Sequence, residues 1–268
     1  MRLSLLIMLC WCCSARGQGM AFSMNSTLST GAQVPNGLVG WWTLDEGAGT
    51  ATTDFSGNGY TGTLVLVPKW TNGIIQNAIG FTVTNYVNVG GVTNSITNST
   101  QGSISFWMTL NDPITESVPF SISRNANATQ TEWFWDCDTR AGNKWFDSAL
   151  RMDGTTKWQG HTAINSLLSY TNGFTHFVIT HNGTTPTYYL NGVSLTITFT
   201  ITTDKTPWFK GILTTATSKA DSVSIGTLRR NNALVVPFNR TVDDVRIYNR
   251  ALSAAEVAIL YNNRAGVK

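Results

Sequence analysis

From Gly37 onward, apolar and polar residues alternate in short runs broken by Gly, Asn and Asp. That period of two is the pattern of half-buried β-strands. Extended segments are predicted at 38–44, 63–67, 78–89 and 103–108, the last with Ile104, Phe106 and Met108 on one face. The breaks carry turn chemistry. Residues 45–49 interrupt the first strand, and Asp54-Phe55-Ser56-Gly57-Asn58-Gly59 forms a tight turn that needs positive φ. Farther on, 174–180 places Phe174, His176, Val178 and Thr180 on one side. Asn182-Gly183 turns into 187–190, and Asn191-Gly192 turns into 193–200. Two more strands are predicted at 222–226 and 239–248. Ser253 and Glu256 form a capping box ahead of a short helix carrying Val257, Leu260 and Tyr261. The middle, 111–168, reads as less regular. Strands joined by short turns over the whole length, with no internal repeat, predict an all-β, two-sheet antiparallel sandwich or jelly roll with a short C-terminal helix.

Composition narrows the function classes. Charged residues make up 12% of the chain, about half the usual fraction of ~25%. The net charge of +3 is spread along the chain, and no dense Lys/Arg run marks a nucleic-acid surface. After Arg2, residues 3–13 are apolar except for Ser4, and Ala15-Arg16-Gly17 offers small residues for cleavage. This predicts a signal peptide at 1–17, a flexible leader at 18–36, one domain at 37–263 and a tail at 264–268. The apolar run falls short of the ~20 residues of a membrane span, so a secreted, extracellular or cell-surface protein is expected. Cys10, Cys12 and Cys13 would leave with the leader. Cys137 would remain alone, without an intramolecular disulfide, and is expected to be buried.

Four stretches taken together resemble laminin G-like jelly-roll domains of the concanavalin A-like lectin/glucanase superfamily. Gly37 to Gly49, followed by the Asp54-Phe55-Ser56-Gly57-Asn58-Gly59-Tyr60-Thr61-Gly62 loop, resembles the opening of such domains. Ser103-Ile104-Ser105-Phe106-Trp107 resembles their central strand. Phe174 to Gly183, with Tyr189-Leu190-Asn191-Gly192-Val193, resembles their hairpin. Asp243-Asp244-Val245-Arg246-Ile247-Tyr248 through Ser253 and Glu256 resembles their closing strand and helix. Phe174 stands where the family usually has tryptophan. The resemblance implies the jelly-roll fold and a structural Ca²⁺ near the chain ends. It does not fix an activity, because the fold hosts lectins, protein-binding modules and glycosidases alike.

The candidate chemistry is of three kinds. Glycosidases of this superfamily line up carboxylates as E-x-D-x-x-E, with acid and base ~5–10 Å apart. The four glutamates, Glu46, Glu116, Glu132 and Glu256, do not fit that pattern. Glu132, Asp136 and Asp138 would share one face of an extended strand and are the weak catalytic candidates, the alternative being a solvent-facing polar edge. His161, His176 and His181 lack zinc spacing, and His176 is expected to be packed. For Ca²⁺, Asp54 and Asn58 offer side-chain oxygens in a glycine-rich loop. Asp243, in phase with Val245 and Ile247, is the expected partner; plain Asx-turn hydrogen bonding is the alternative. For sugar, Trp133, Trp135 and Trp145 are expected to form a stacking platform, the alternative being ordinary core. The favoured expectation is a non-catalytic glycan-binding domain with a structural calcium. An extracellular protein-interaction module and a divergent glycosidase are the alternatives.

Overall fold

The computed structural model describes residues 35–110, 116–126, 129–138, 144–166 and 173–263, and of Asp138 the backbone alone. The expected signal peptide, with Cys10, Cys12 and Cys13, almost all of the leader, and the 264–268 tail lie outside the described residues. The strands begin with β1 (Leu38–Trp42), β2 (Ala51–Thr52), β3 (Gly62–Val65), β4 (Lys69–Asn72), β5 (Asn77–Gly80) and β6 (Tyr86–Asn88). A short helix α1 (Thr93–Ile96) precedes β7 (Gly102–Thr109), β8 (Ser117–Ser123), β9 (Glu132–Asp138), β10 (Trp145–Met152), β11 (Thr155–His161) and β12 (Phe174–His181). Then come β13 (Pro186–Leu190), β14 (Val193–Leu195), β15 (Thr198–Thr202), β16 (Ser222–Ile225), β17 (Arg229–Arg230), β18 (Ala233–Leu234), β19 (Thr241–Tyr248) and helix α2 (Ala254–Asn262).

Two antiparallel sheets result. An eight-stranded sheet runs β14-β13-β12-β7-β19-β5-β4, with β1 also paired to β19, and a nine-stranded sheet runs β15-β11-β10-β9-β8-β16-β6-β3-β2. Their inner faces make the main core. Ile104, Phe106, Met108, Phe177 and Ile179 of the first sheet meet Phe120, Trp133, Trp135 and Phe146 of the second. The rings interlock: Phe106 stacks on Phe177 at 5.7 Å, and Trp135 meets Phe177 edge-on at 5.2 Å. Burial of each such side chain contributes ~1.5–3 kcal/mol, the dominant favourable term. On the other face of the eight-stranded sheet, Val178, Tyr189 and Tyr248 pack under Leu252 and under Val257 and Leu260 of α2. The helix starts where the sequence predicts, with the Ser253–Glu256 capping box formed at both hydrogen bonds.

Four expectations are corrected. The described residues of 111–168 are not irregular: β8 to β11 form the middle of the nine-stranded sheet. Alternation fails there because both faces are covered. Leu228 and Val236 pack outside Val118, Phe134 and Ala149, so apolar residues stand at successive positions. The strand expected at 78–89 is two strands, β5 and β6, in different sheets, and so is the strand expected at 193–200, which divides into β14 and β15. The strand expected at 63–67 ends at Val65, and Leu66 and Val67 turn at φ 54° and 43°. Cys137 is buried as expected. Burial first, then the Asp136 charge, holds its thiol far above the ordinary cysteine range.

Candidate functional site

The register of β9 settles which way its side chains face. Trp133, Trp135 and Cys137 alternate into the inter-sheet core, opposite Leu150, Ser148 and Phe146 of β10. Trp133 and Trp135 are each 1% exposed, which overturns them as a ligand platform. Their indoles are packing elements: Trp133 lies edge-on to Trp208 at 5.2 Å and Trp135 edge-on to Tyr188 at 4.7 Å. Trp145 takes the other face. It is half-buried, pairs with Asp138 across the ladder, and stacks on His161 with centroids 3.7 Å apart. Its indole N–H is buried without an acceptor. On the same face Asp147 sits opposite His161 and accepts a 2.6 Å hydrogen bond from the Gln159 amide. Here β9, β10 and β11 place an aromatic pair, an amide and carboxylates together.

Of the weak catalytic candidates, the Asp138 side chain lies outside the described residues; Glu132 and Asp136 lie on this outer face as alternation predicts, but Glu132 is not free to react. Its side chain is fully buried. Arg151 Nη1 donates to Oε1 at 2.7 Å, Arg230 Nε to Oε2 at 2.7 Å, and Arg230 Nη2 to Oε1 at 2.5 Å. Both oxygens are thus engaged by guanidinium donors. This clamp also pins the β17–β18 hairpin over the sheet. Asp136 is 1% exposed and accepts a hydrogen bond from the Ser117 N–H. The solvent-facing polar edge is overturned as well for these two residues.

The expected metal loop closes on itself. Asp54 Oδ1 accepts from the Trp41 and Ser56 N–H groups, and Oδ2 from the Ser56 hydroxyl and the Tyr60 N–H, all at 2.9 Å. Asn58 donates to Val39 O at 3.1 Å. With four donors on one carboxylate, Asp54 has no lone pair left for a cation, and the loop is an Asx-turn. Asp243 lies in other surroundings. A β-bulge between Asp243 and Arg246, with Asp244 at φ 47°, puts Val242 into the core with Val245 and Ile247. Asp243 therefore sits on the opposite face, out of phase with Val245. It is nevertheless fully buried, with Oδ2 accepting from Ile74 N at 2.9 Å and Ile75 N at 3.3 Å. Its Oδ1 is buried without a partner. Burial above all, with the Asp244 and Asp45 charges adding, pushes its carboxyl up to about 8. Asp45 is held by Asn77, whose N–H donates to Asp45 Oδ1 and whose amide donates to Asp45 O. A Cβ at Gly73 would come within 2.5 Å of Asp243 Oδ2 and 2.4 Å of Asn77 O. An orphaned, charge-crowded carboxylate in a glycine-lined cradle offers an unfilled oxygen to a hard cation, though among the described residues no three His, Cys, Asp or Glu side chains converge on such an ion; the Asp54–Asn58 loop offers none.

His176 is packed, as expected. Its Nε2 lies 2.9 Å from the Ser105 hydroxyl and its ring lies 4.7 Å from that of Trp107. A cleft of about 300 Å³, lined by Met152, Lys157, Asp204, Thr206, Trp208 and Lys210, is not signalled in the sequence, since the chain returns to it from segments far apart. Its tryptophan gives no stacking surface: Trp208 is 1% exposed, stacked on His181 at 4.9 Å and set against Trp133.

Comparison with known proteins gives a consistent fold. The CBM40 module of the Ruminococcus gnavus IT-sialidase, bound to α2,3-sialyllactose, is 13% identical. The match spans 69% of this chain and 96% of that one, with a TM-score of 0.55. Domain 4 of AbnA, an extracellular GH43 arabinanase of Geobacillus stearothermophilus, solved with arabinotriose, is 19% identical. That match spans 85% and 98%, with a TM-score of 0.53. The binding domain of Paraclostridial mosquitocidal protein 1 is 19% identical over 86% of this chain and 53% of that one, with a TM-score of 0.60. At these identities the likeness is one of fold. No curated protein sequence matches the chain significantly. The model of the laminin G-like family of the concanavalin A-like lectin/glucanase superfamily matches residues 81–258, about two thirds of the chain. With the two-sheet jelly roll around it, this chain belongs to that family.

Proposed function

We propose that this chain is a secreted, non-catalytic glycan-binding domain whose ligand rests against Trp145 on the outer face of the nine-stranded sheet. The observation that carries this reading is the half-buried Trp145 ring stacked on His161, with its indole N–H lacking an acceptor. Aromatic faces match the apolar faces of pyranoses. The half-buried Gln159 amide, held in place by Asp147, supplies a hydroxyl partner. The engagement of Glu132 by two arginines supports binding without hydrolysis. The sialyllactose- and arabinotriose-bound modules of the same fold are consistent with a saccharide ligand. The test is a screen of the folded chain against a broad glycan panel. Saturable binding that disappears in Trp145→Ala, with thermal unfolding unchanged, is the expected result. Silence across the panel from folded protein, or full binding by Trp145→Ala, would refute it.

A structural Ca²⁺ belongs to the same reading. Asp243 and Asp45 would hold it, and its charge would offset the crowding of Asp243 by Asp244 and Asp45. Added Ca²⁺ should raise the unfolding temperature of the chelator-treated chain and leave that of Asp243→Asn unmoved. An equal response in both would remove the ion from this site.

A further inference from the structure

Three loops meet at one end of the sandwich. Val65 pairs with Tyr86 and Lys69 with Gly80, which sets the 66–68 turn beside the 81–85 segment. Ile225 pairs with Val87, so the segment that follows β16 emerges at the same end. Phe81 packs against Gly226, and the Arg229 guanidinium lies 4.8 Å over the Tyr86 ring. This end carries exposed aliphatic side chains: Leu66 at 70%, Val67 at 63% and Val83 at 58%.

The 66–67 turn is costly twice over. Leu66 and Val67 both have left-handed φ, 54° and 43°, a conformation that strains any side chain and a β-branched one most. Elsewhere this chain fills such non-glycine positions with polar residues, at Gln76, Asp153, Asn165, Asn191, Asn231, Asn232 and Asp244. Leu44 is the other apolar exception, and it is fully buried, so packing offsets its strain. Leu66 and Val67 gain no such burial within the fold. A strained, apolar, protruding turn thus joins β3 of one sheet to β4 of the other, at positions where Asn or Gly would carry less strain.

Charge indicates the occupant. Residues 65–69, 81–86 and 226–236 contain no Asp or Glu, but do contain Lys69, Arg229 and Arg230. Arg230 is committed to Glu132, whereas Lys69 is exposed and Arg229 has a buried Nε without a partner. An exposed apolar tip with the exposed Lys69 beside it and no carboxylate in the surrounding segments complements a bilayer interface bearing anionic headgroups. We infer that the Leu66–Val67 tip, with Val83 beside it, inserts into anionic membrane surfaces and anchors the domain there, independently of the Trp145 face.

The experiment is co-sedimentation of the full chain with phosphatidylcholine vesicles, with and without phosphatidylserine. The variants are L66N/V67G and K69Q. Phosphatidylserine vesicles should bind the wild type, and added salt should weaken that binding. L66N/V67G should lose roughly tenfold in partitioning, and K69Q about fivefold on phosphatidylserine alone. Because Asn and Gly tolerate the left-handed φ of both positions, L66N/V67G should also unfold ~2 °C or more above wild type, which excludes misfolding as the cause. The apolar 3–13 segment is common to every variant, so it cannot produce the difference. Equal vesicle binding by wild type and L66N/V67G, or none by either, overturns the inference. So does concentration-dependent dimerisation through Leu66 and Val67 without vesicle binding. An unfolding temperature of L66N/V67G at or below wild type overturns the strain argument on which the inference rests.

Discussion

Replacing Glu132 by Gln keeps the shape of the side chain and removes its charge. Three charge-assisted hydrogen bonds of 2.5–2.7 Å converge on the two oxygens of Glu132 from Arg151 and Arg230. Each such bond contributes ~1.5–3 kcal/mol. Two effects reduce the total. Gln retains one carbonyl acceptor, and the arginines, with side chains 19% and 22% exposed, regain water when released. The net loss should be ~2–4 kcal/mol, or roughly 5–15 °C in unfolding temperature for a domain of this size. Thermal unfolding followed by circular dichroism at neutral pH measures it. A double-mutant cycle with Arg230→Met assigns the coupling, because the double variant should lose clearly less than the sum of the singles. The clamp also holds the β17–β18 hairpin, so limited proteolysis of Glu132→Gln should cut first near Asn231–Asn232, the turn of that hairpin. An unfolding temperature within 1–2 °C of wild type (a difference of under ~1 kcal/mol) would refute the reasoning. Glu132 would then not be the fastening it is taken for.

Two further outcomes follow from the packing. Burial, partly opposed by the hydrogen bond to Lys205 O, pushes His181 down to about 4, and its Nδ1 already accepts the Gly183 N–H. The folded state therefore favours the neutral ring. The unfolded chain takes up the proton first, so stability present above pH ~6.5 should fall by ~3 kcal/mol as pH drops towards 4. His181→Gln should flatten that part of a pH-dependent denaturation profile, and an unchanged profile would rule the group out. Trp133→Ala and Trp135→Ala should each lose ~3–5 kcal/mol of stability by leaving a core cavity. Denaturant titration checks this, and a stable variant that has lost only ligand binding would contradict their place in the core.

Much of this molecule was legible in the residues. The alternation of Ile104, Phe106 and Met108, the Asn-Gly turns and the Ser253–Glu256 cap specify local structure through local rules, and each is realised where expected. The family resemblance rests on the same short stretches. What the residues could not report is where covering segments lie. Trp133 and Trp145 are equally aromatic and both lie on strands, yet one is core and the other faces outward, because register and the opposing sheet decide it. Glu132 reads as a free carboxylate until Arg230, nearly a hundred positions later, folds back onto it. Asp243 changes face through a single bulge at Asp244, since one inserted residue inverts a period of two. Composition and period thus determined the fold class and the elements. The candidate site was decided by long-range pairing, because burial and charge compensation belong to neighbours that only the tertiary structure brings together.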